Sequence, residues 1–257
     1  MSRAPRTALL PAEWRASASL SGVYALRMLG MFLVLPVLAL YAKELPGSTP
    51  AMGGLAIAVY GLTQALFQLP LGMLSDKLGR KKVIYLGLAV FAAGSFIAAA
   101  ADSVAWLLIG RAVQGAGAVS AAVTALLADL TREEVRTRAM ASIGLTIGLT
   151  FAASMVASPL LTRYLGVPGL FALTGGLCVL ALGVVAWVTP NPQRGKFHED
   201  AEMQTSRIGE VLHNKRLMQL NFGIFALQAV MMAVFASLPL VMRGLGLPKE
   251  QHWQLYL

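Results

Sequence analysis

At 257 residues, 57% of them apolar and only 13% charged, with a mean hydropathy of +0.67, the chain has too little polar surface for a water-soluble domain of its length. It reads as an integral membrane protein. A net charge of +9 would point to nucleic acid in a soluble protein. Here the positive residues crowd into some loops and avoid others, and no basic stripe interleaved with aromatics occurs, which speaks against a nucleic-acid partner.

The tail, residues 1–19, carries Arg3, Arg6 and Arg15 ahead of the first apolar run. Further runs follow it, so it reads as a signal anchor rather than a cleaved leader. Charge-poor runs lie at roughly 20–42, 52–74, 83–101, 104–127, 139–162, 165–189 and 218–242. A hydrocarbon core of about 30 Å takes about 20 residues of helix, and backbone in lipid must pair within its own segment. Seven helices are therefore expected, in an all-α polytopic bundle. None of the runs shows the two-residue alternation of a β-barrel strand.

Loops on one side hold fifteen Lys and Arg: the tail, Lys77 to Lys82, Arg132 to Arg138, and Arg194 to Arg216. The alternate loops hold four, Lys43, Arg163, Arg243 and Lys249. This bias predicts a cytoplasmic N-terminus. Residues 20–190 form a six-helix half. Residues 191–217 are a polar linker with a short amphipathic helix built on Ile208, Val211, Leu212 and Leu217. Residues 218–257 begin a second half with helix 7 and the start of helix 8. "MFLVLPVL" in helix 1 and "VFASLPLV" in helix 7 align on Pro36 and Pro239, as expected of two related halves. The chain reads as truncated after that point.

Between helices 2 and 3 stands "GMLSDKLGRKK", residues 72–82. Gly72 lets helix 2 approach a neighbour and Gly79 permits a tight reversal. Asp76 can accept from a helix N-terminus, and Arg80 can grip a carboxylate with two N–H groups as Lys cannot. A plain positive-inside loop explains the bases, including Lys81, but not the acid or the glycines. In helix 4, "LLIGRAVQGAGA" sets Arg111 in the membrane, where charge is expensive. Gln114 is placed to hold it, and Gly115 and Gly117 to admit another backbone. Arg111 fits both a functional role and a helix-gluing one. In helix 5, Gly144, Gly148 and Ala152 recur every fourth residue as a small-residue seam, followed by Pro159.

Tyr60, Gln64 and Gln68 share one face of helix 2 and should point inward. Arg27 either lines a cavity or snorkels to the surface. Asn221 and Gln228 mark helix 7. No acid lies mid-span, Cys178 has no cysteine to pair with, and no His, Cys or acid cluster suits a metal. A membrane enzyme would need reactive groups within spans, which are missing. No phosphate-binding loop is present, so an ion gradient is the expected energy source and no cofactor is expected.

The 72–82 stretch resembles the signature loop of the major facilitator superfamily, with Lys77 where an Arg is usual. "RAVQGAGA" resembles the family's helix-4 element. "LRMLGMFLVLPVL", "ALLADLTREE" and other stretches resemble bacterial inner-membrane carriers of its drug/proton antiporter group. The resemblance implies a twelve-helix secondary transporter, monomeric at full length, exporting small apolar compounds against protons. Uptake of sugars or organic acids is the alternative. It also implies that Arg80, Asp76 and Asp129 form a charge cluster latching the two halves, with Asp76 facing a helix N-terminus of the second half. The antiporters carry Gly-Pro-x-x-Gly-Gly in helix 5. Ser158-Pro159-Leu160-Leu161-Thr162 lacks those glycines, so the direction of transport stays open.

Overall fold

The structure, a computed structural model, describes residues 8–191 and 208–244. The helices are α1 (Pro11–Glu44), α2 (Met52–Leu78), α3 (Arg80–Ala99), α4 (Val104–Ala116), α5 (Ser120–Asp129), α6 (Glu133–Gly183), a π-helical turn (Val184–Val188), α7 (Ile208–His213) and α8 (Lys215–Gly244). Six helical stretches among the described residues are long and apolar enough to cross a membrane. One of them, Glu133–Val188, folds back on itself. Ser154 and Ser158 donate to the carbonyls of Leu29 and Leu33, and Thr174 donates to that of Gly30. Residues 154 and 174 would stand about 30 Å apart along a straight helix. Both meet one turn of α1 because the backbone turns at Gly166, whose φ is +66°. A left-handed residue there is cheap only for glycine. The seven expected spans are thus all present, the fifth and sixth joined by a single residue rather than a loop.

The fourth span is also drawn differently from the sequence expectation. Its helix stops at Ala116 and resumes at Ser120. Gly117, Ala118 and Val119 are non-helical and buried. Irregular backbone is tolerated at membrane depth only inside protein, and here α3 surrounds it. A Cβ on Gly117 would collide with the Gly87 carbonyl oxygen, and one on Gly115 with Thr63 Oγ1 and the Tyr60 carbonyl oxygen. The two glycines therefore let α4 touch the backbones of α3 and α2, as read from sequence.

Gly72 is packed more loosely, with Ala121 Cβ 3.5 Å from where its own Cβ would be. Gly79 has φ +99° and makes the turn between α2 and α3. The helix-5 seam does not form among the described residues: a Cβ at Gly144 or Gly148 would meet nothing within 4 Å. Gly148 instead borders a central cavity, and the packing on the α1 side is carried by Ser154 and Ser158. Pro159 lies within α6, on a second recess shared with Pro36 and Tyr41.

The core joins α1 to both arms of α6 and α4 to α2 and α3. α8 lies against α1 and α2 and is otherwise exposed. It begins at Lys215, earlier than expected, because Asn214 Oδ1 accepts from the backbone N–H groups of Arg216 and Leu217. The amphipathic helix is consequently only Ile208–His213, and Leu217 belongs to α8. The rest of the linker and the start of helix 8 lie outside the described residues.

Candidate functional site

Two sites emerge, one at an end of the bundle and one at its middle. At the end, Gly79 terminates α2 and sets Arg80 as the first residue of α3. The Arg80 side chain turns back across the junction, 3% exposed. Its Nη1 donates to Asp76 Oδ1 and, at 2.8 Å, to Ser75 Oγ. Its Nε donates to Asp129 Oδ2 at 3.3 Å. Asp129, the last residue of α5, is 4% exposed at its side chain. One planar guanidinium thus ties the C-terminal ends of α2 and α5 to the start of α3, which a lysine could not do with the same fixed geometry.

The Arg80–Asp129 pair is the one expected from the sequence. Asp76 joins the same cluster, its carboxylate at the end of α2 accepting from Arg80 four residues on, while the helix N-terminus expected to face it falls beyond the described residues. Lys81 donates to the Thr189 carbonyl oxygen at 2.6 Å and so anchors the far end of the sixth span. Arg15 donates to the Val188 carbonyl oxygen at 2.9 Å and reinforces that anchor.

A neighbouring clasp was invisible in the sequence. Glu13 accepts from Arg132 Nε at 2.7 Å, from Arg132 Nη2 at 3.1 Å and from the Arg132 backbone N–H at 3.1 Å. It also accepts from the Leu10 N–H, capping α1. The Glu13 hydrogen bond holds the Arg132 guanidinium above its ordinary pKa. Arg132 lies three residues past Asp129, so the clasp fixes the turn that carries Asp129. The partners are 119 residues apart, a separation no local pattern reveals.

At the middle is a cavity of about 880 Å³ between α1, α2, the first arm of α6 and α8. Tyr60, Gln64 and Gln68 line it, as their shared face predicted, and so do Gln228 and Arg111. Asn221 is exposed and lies off the cavity. Most of the wall is apolar, from Met28, Met31, Phe32, Phe151, Met231 and Met232. The sequence did not single these out, because helices apolar all round do not show which side faces inward.

Arg111 is 1% exposed. Its Nη1 donates to Gln114 Oε1 at 2.8 Å and its Nε to the Ala56 carbonyl at 3.1 Å. Gln114 in turn donates to Ser95 Oγ at 2.7 Å. Gln114 therefore holds Arg111 from within the same helix, while Ser95 supplies the link across the interface. Arg27, also 1% exposed, does not snorkel. Its Nη2 donates to Tyr60 Oη at 3.4 Å and its guanidinium lies over the Phe91 ring at 5.1 Å.

The family model of the Major Facilitator Superfamily matches residues 20–257. The chain belongs to the major facilitator superfamily. Its similarity to the inner membrane transport protein YajR of Escherichia coli is 48% identity over 249 residues, covering 97% of this chain and 55% of that protein. An uncharacterized transporter of Buchnera aphidicola from Acyrthosiphon pisum is 33% identical over 95% of this chain and 63% of its own length. The quinolone resistance protein NorA of Staphylococcus aureus is 39% identical over 105 residues, 40% of this chain and 27% of that protein.

Among solved superfamily structures, the POT family transporter PepTSo superposes on 98% of this chain and 57% of its own, with TM-score 0.63 and 14% identity. Human MFSD10, an organic anion transporter, superposes on 71% of this chain and 49% of its own, with TM-score 0.60 and 23% identity. These two establish the fold alone. The chain spans roughly half to two thirds of the length of the relatives it matches. It is a multi-pass membrane protein of a transporter superfamily, whose members are transporters and not enzymes.

Proposed function

We propose that this chain forms the N-terminal half, and the start of the second half, of a secondary active transporter in the bacterial inner membrane, with its N-terminus in the cytoplasm. Its work is proton-coupled export of small, largely apolar compounds by alternating access. The observation that carries this reading is the cavity of about 880 Å³, apolar over most of its wall, with an intramembrane arginine and three glutamines on it. An apolar pocket with a few fixed polar groups suits drug-sized ligands. The relative named for quinolone resistance supports the same substrate class.

Arg80, Asp76 and Asp129 act as the latch. They hold the cytoplasmic ends of α2, α3 and α5 together while the cavity opens to the other side. The charge bias of the loops supports this orientation. The described helices place every carboxylate at a helix end or in a loop, so the proton-carrying group is Asp76, Asp129 or a residue beyond them. The protein works as a monomer at full length. Lipid, substrate and protons are its partners.

Everted membrane vesicles from cells making the complete protein test the reading. An imposed inside-acid gradient should drive accumulation of labelled drug-like compounds, a quinolone among them, and a protonophore should abolish it. Accumulation that ignores the protonophore, or none from a broad panel, would overturn it.

A further inference from the structure

Arg111 puts on the cavity wall a positive charge that no described acid answers, and Arg27 adds a second one behind Tyr60, off the wall itself. Among the described residues, Asp and Glu stand at helix ends or in loops: Glu13, Glu44, Asp76, Asp102, Asp129, Glu133, Glu134 and Glu210. The bundle interior holds two guanidinium groups, both 1% exposed. Arg111 bonds only to neutral acceptors there, the Ala56 carbonyl and Gln114. Arg27 is less satisfied still. Its Nε and Nη1 are buried and have no hydrogen-bond partner among the described residues.

Both arginines touch one residue, Tyr60. Arg27 donates to its hydroxyl, and the Arg111 guanidinium lies over its ring with Cζ 4.4 Å from the centroid. Tyr60 itself faces the cavity. Ring faces attract a cation, but they leave N–H donors unmet. An uncompensated buried charge costs several kcal/mol. Two such charges behind one cavity-facing tyrosine make that spot favourable for a negative group.

We propose that the cavity takes small amphiphilic organic anions. A carboxylate or sulfonate head is held at Tyr60 and Arg111, with Arg27 adding its charge through the Tyr60 hydroxyl, and the apolar body lies on Met28, Met31 and Phe151. This rests on the transport reading above and narrows its substrate class.

The test is equilibrium binding of radiolabelled 1-naphthoate to the complete protein in lipid nanodiscs, with empty nanodiscs subtracted. 1-Naphthamide and 1-naphthylmethylamine compete as the neutral and cationic analogues. The acid should bind roughly tenfold or more tightly than the amide. Arg27→Gln and Arg111→Gln should each erase that preference. Arg27→Lys and Arg111→Lys should keep part of it, which separates lost charge from a damaged bundle. An amide that binds as well as the acid, or a preference intact in Arg27→Gln, overturns the proposal. Flux is scored separately. Naphthoate binding without flux would sink the transport reading and leave the anion site standing. Gradient-driven flux of neutral compounds without any anion preference would sink the anion site alone.

Discussion

Arg80 ties three residues together at the charged end. Its guanidinium bonds to Ser75, Asp76 and Asp129. Arg80→Ala would leave Asp129 buried without its cation, which costs about 3–5 kcal/mol. Thermal unfolding of the purified protein should show the drop, and Arg80→Lys should recover only part of it, since an ammonium cannot span three acceptors in one plane. Glu13→Gln should cost less, about 1–2 kcal/mol, because Arg132 is 37% exposed and water can replace the lost charge. The same thermal assay checks the order of the two losses. At this scale the sequence was legible where a motif named the residues. Arg80 with Asp129 was readable. The motif placed Asp76 in the same cluster, but its direct bond to Arg80 rests on Gly79 turning the backbone between α2 and α3, a conformation spacing alone does not display.

Helices in this molecule were legible in existence and less so in their joints. Lipid forces each apolar run to be helical, so seven runs became seven spans. The joints follow backbone conformations that composition does not announce. No proline marks the break at Gly117, and a single glycine rather than a polar loop folds α6 back at Gly166. Close approach is also sequence-silent until the neighbour is known. Gly115 and Gly144 read alike as small residues in a membrane helix. Gly115 presses on the α2 backbone, whereas Gly144 meets open space among the described residues. Gly115→Ala should therefore force α2 from α4 and lower the melting temperature markedly, because the colliding atoms include a backbone carbonyl. Gly22→Ala, on α1 with nothing within 4 Å of the added carbon, should leave the melting temperature unchanged or raise it, since alanine gains about 0.5–1 kcal/mol of helix preference. Equal losses at both sites would mean that α2 and α4 are not in contact as described.

For the whole molecule, the two sites share one helix. The charged cluster gathers α2, α3 and α5 at one end, and the cavity between α1, α2, α6 and α8 lies farther along α2. α2 runs through both, with Tyr60, Gln64 and Gln68 on the cavity and Ser75 and Asp76 in the latch. Pro70 falls between the two groups, so α2 carries a helix-bending residue where cavity and charged cluster meet. The cavity's outline was only partly legible. Its glutamines betrayed themselves as polar residues in a membrane helix, while its methionines and phenylalanines were indistinguishable from lipid-facing ones.

The most direct test is the side from which the cavity can be reached. In the complete protein with native cysteines replaced, Gln64→Cys would be labelled with a membrane-impermeant maleimide in right-side-out and in everted vesicles. With the latch intact, labelling should favour the outer side. Arg80→Ala should shift the ratio toward the cytoplasmic side on the order of tenfold, the effect of losing about 1.4 kcal/mol of bias between two states. A ratio that Arg80→Ala leaves unchanged would contradict the account, since the charged cluster would then be a fixed part of the bundle and no latch at all.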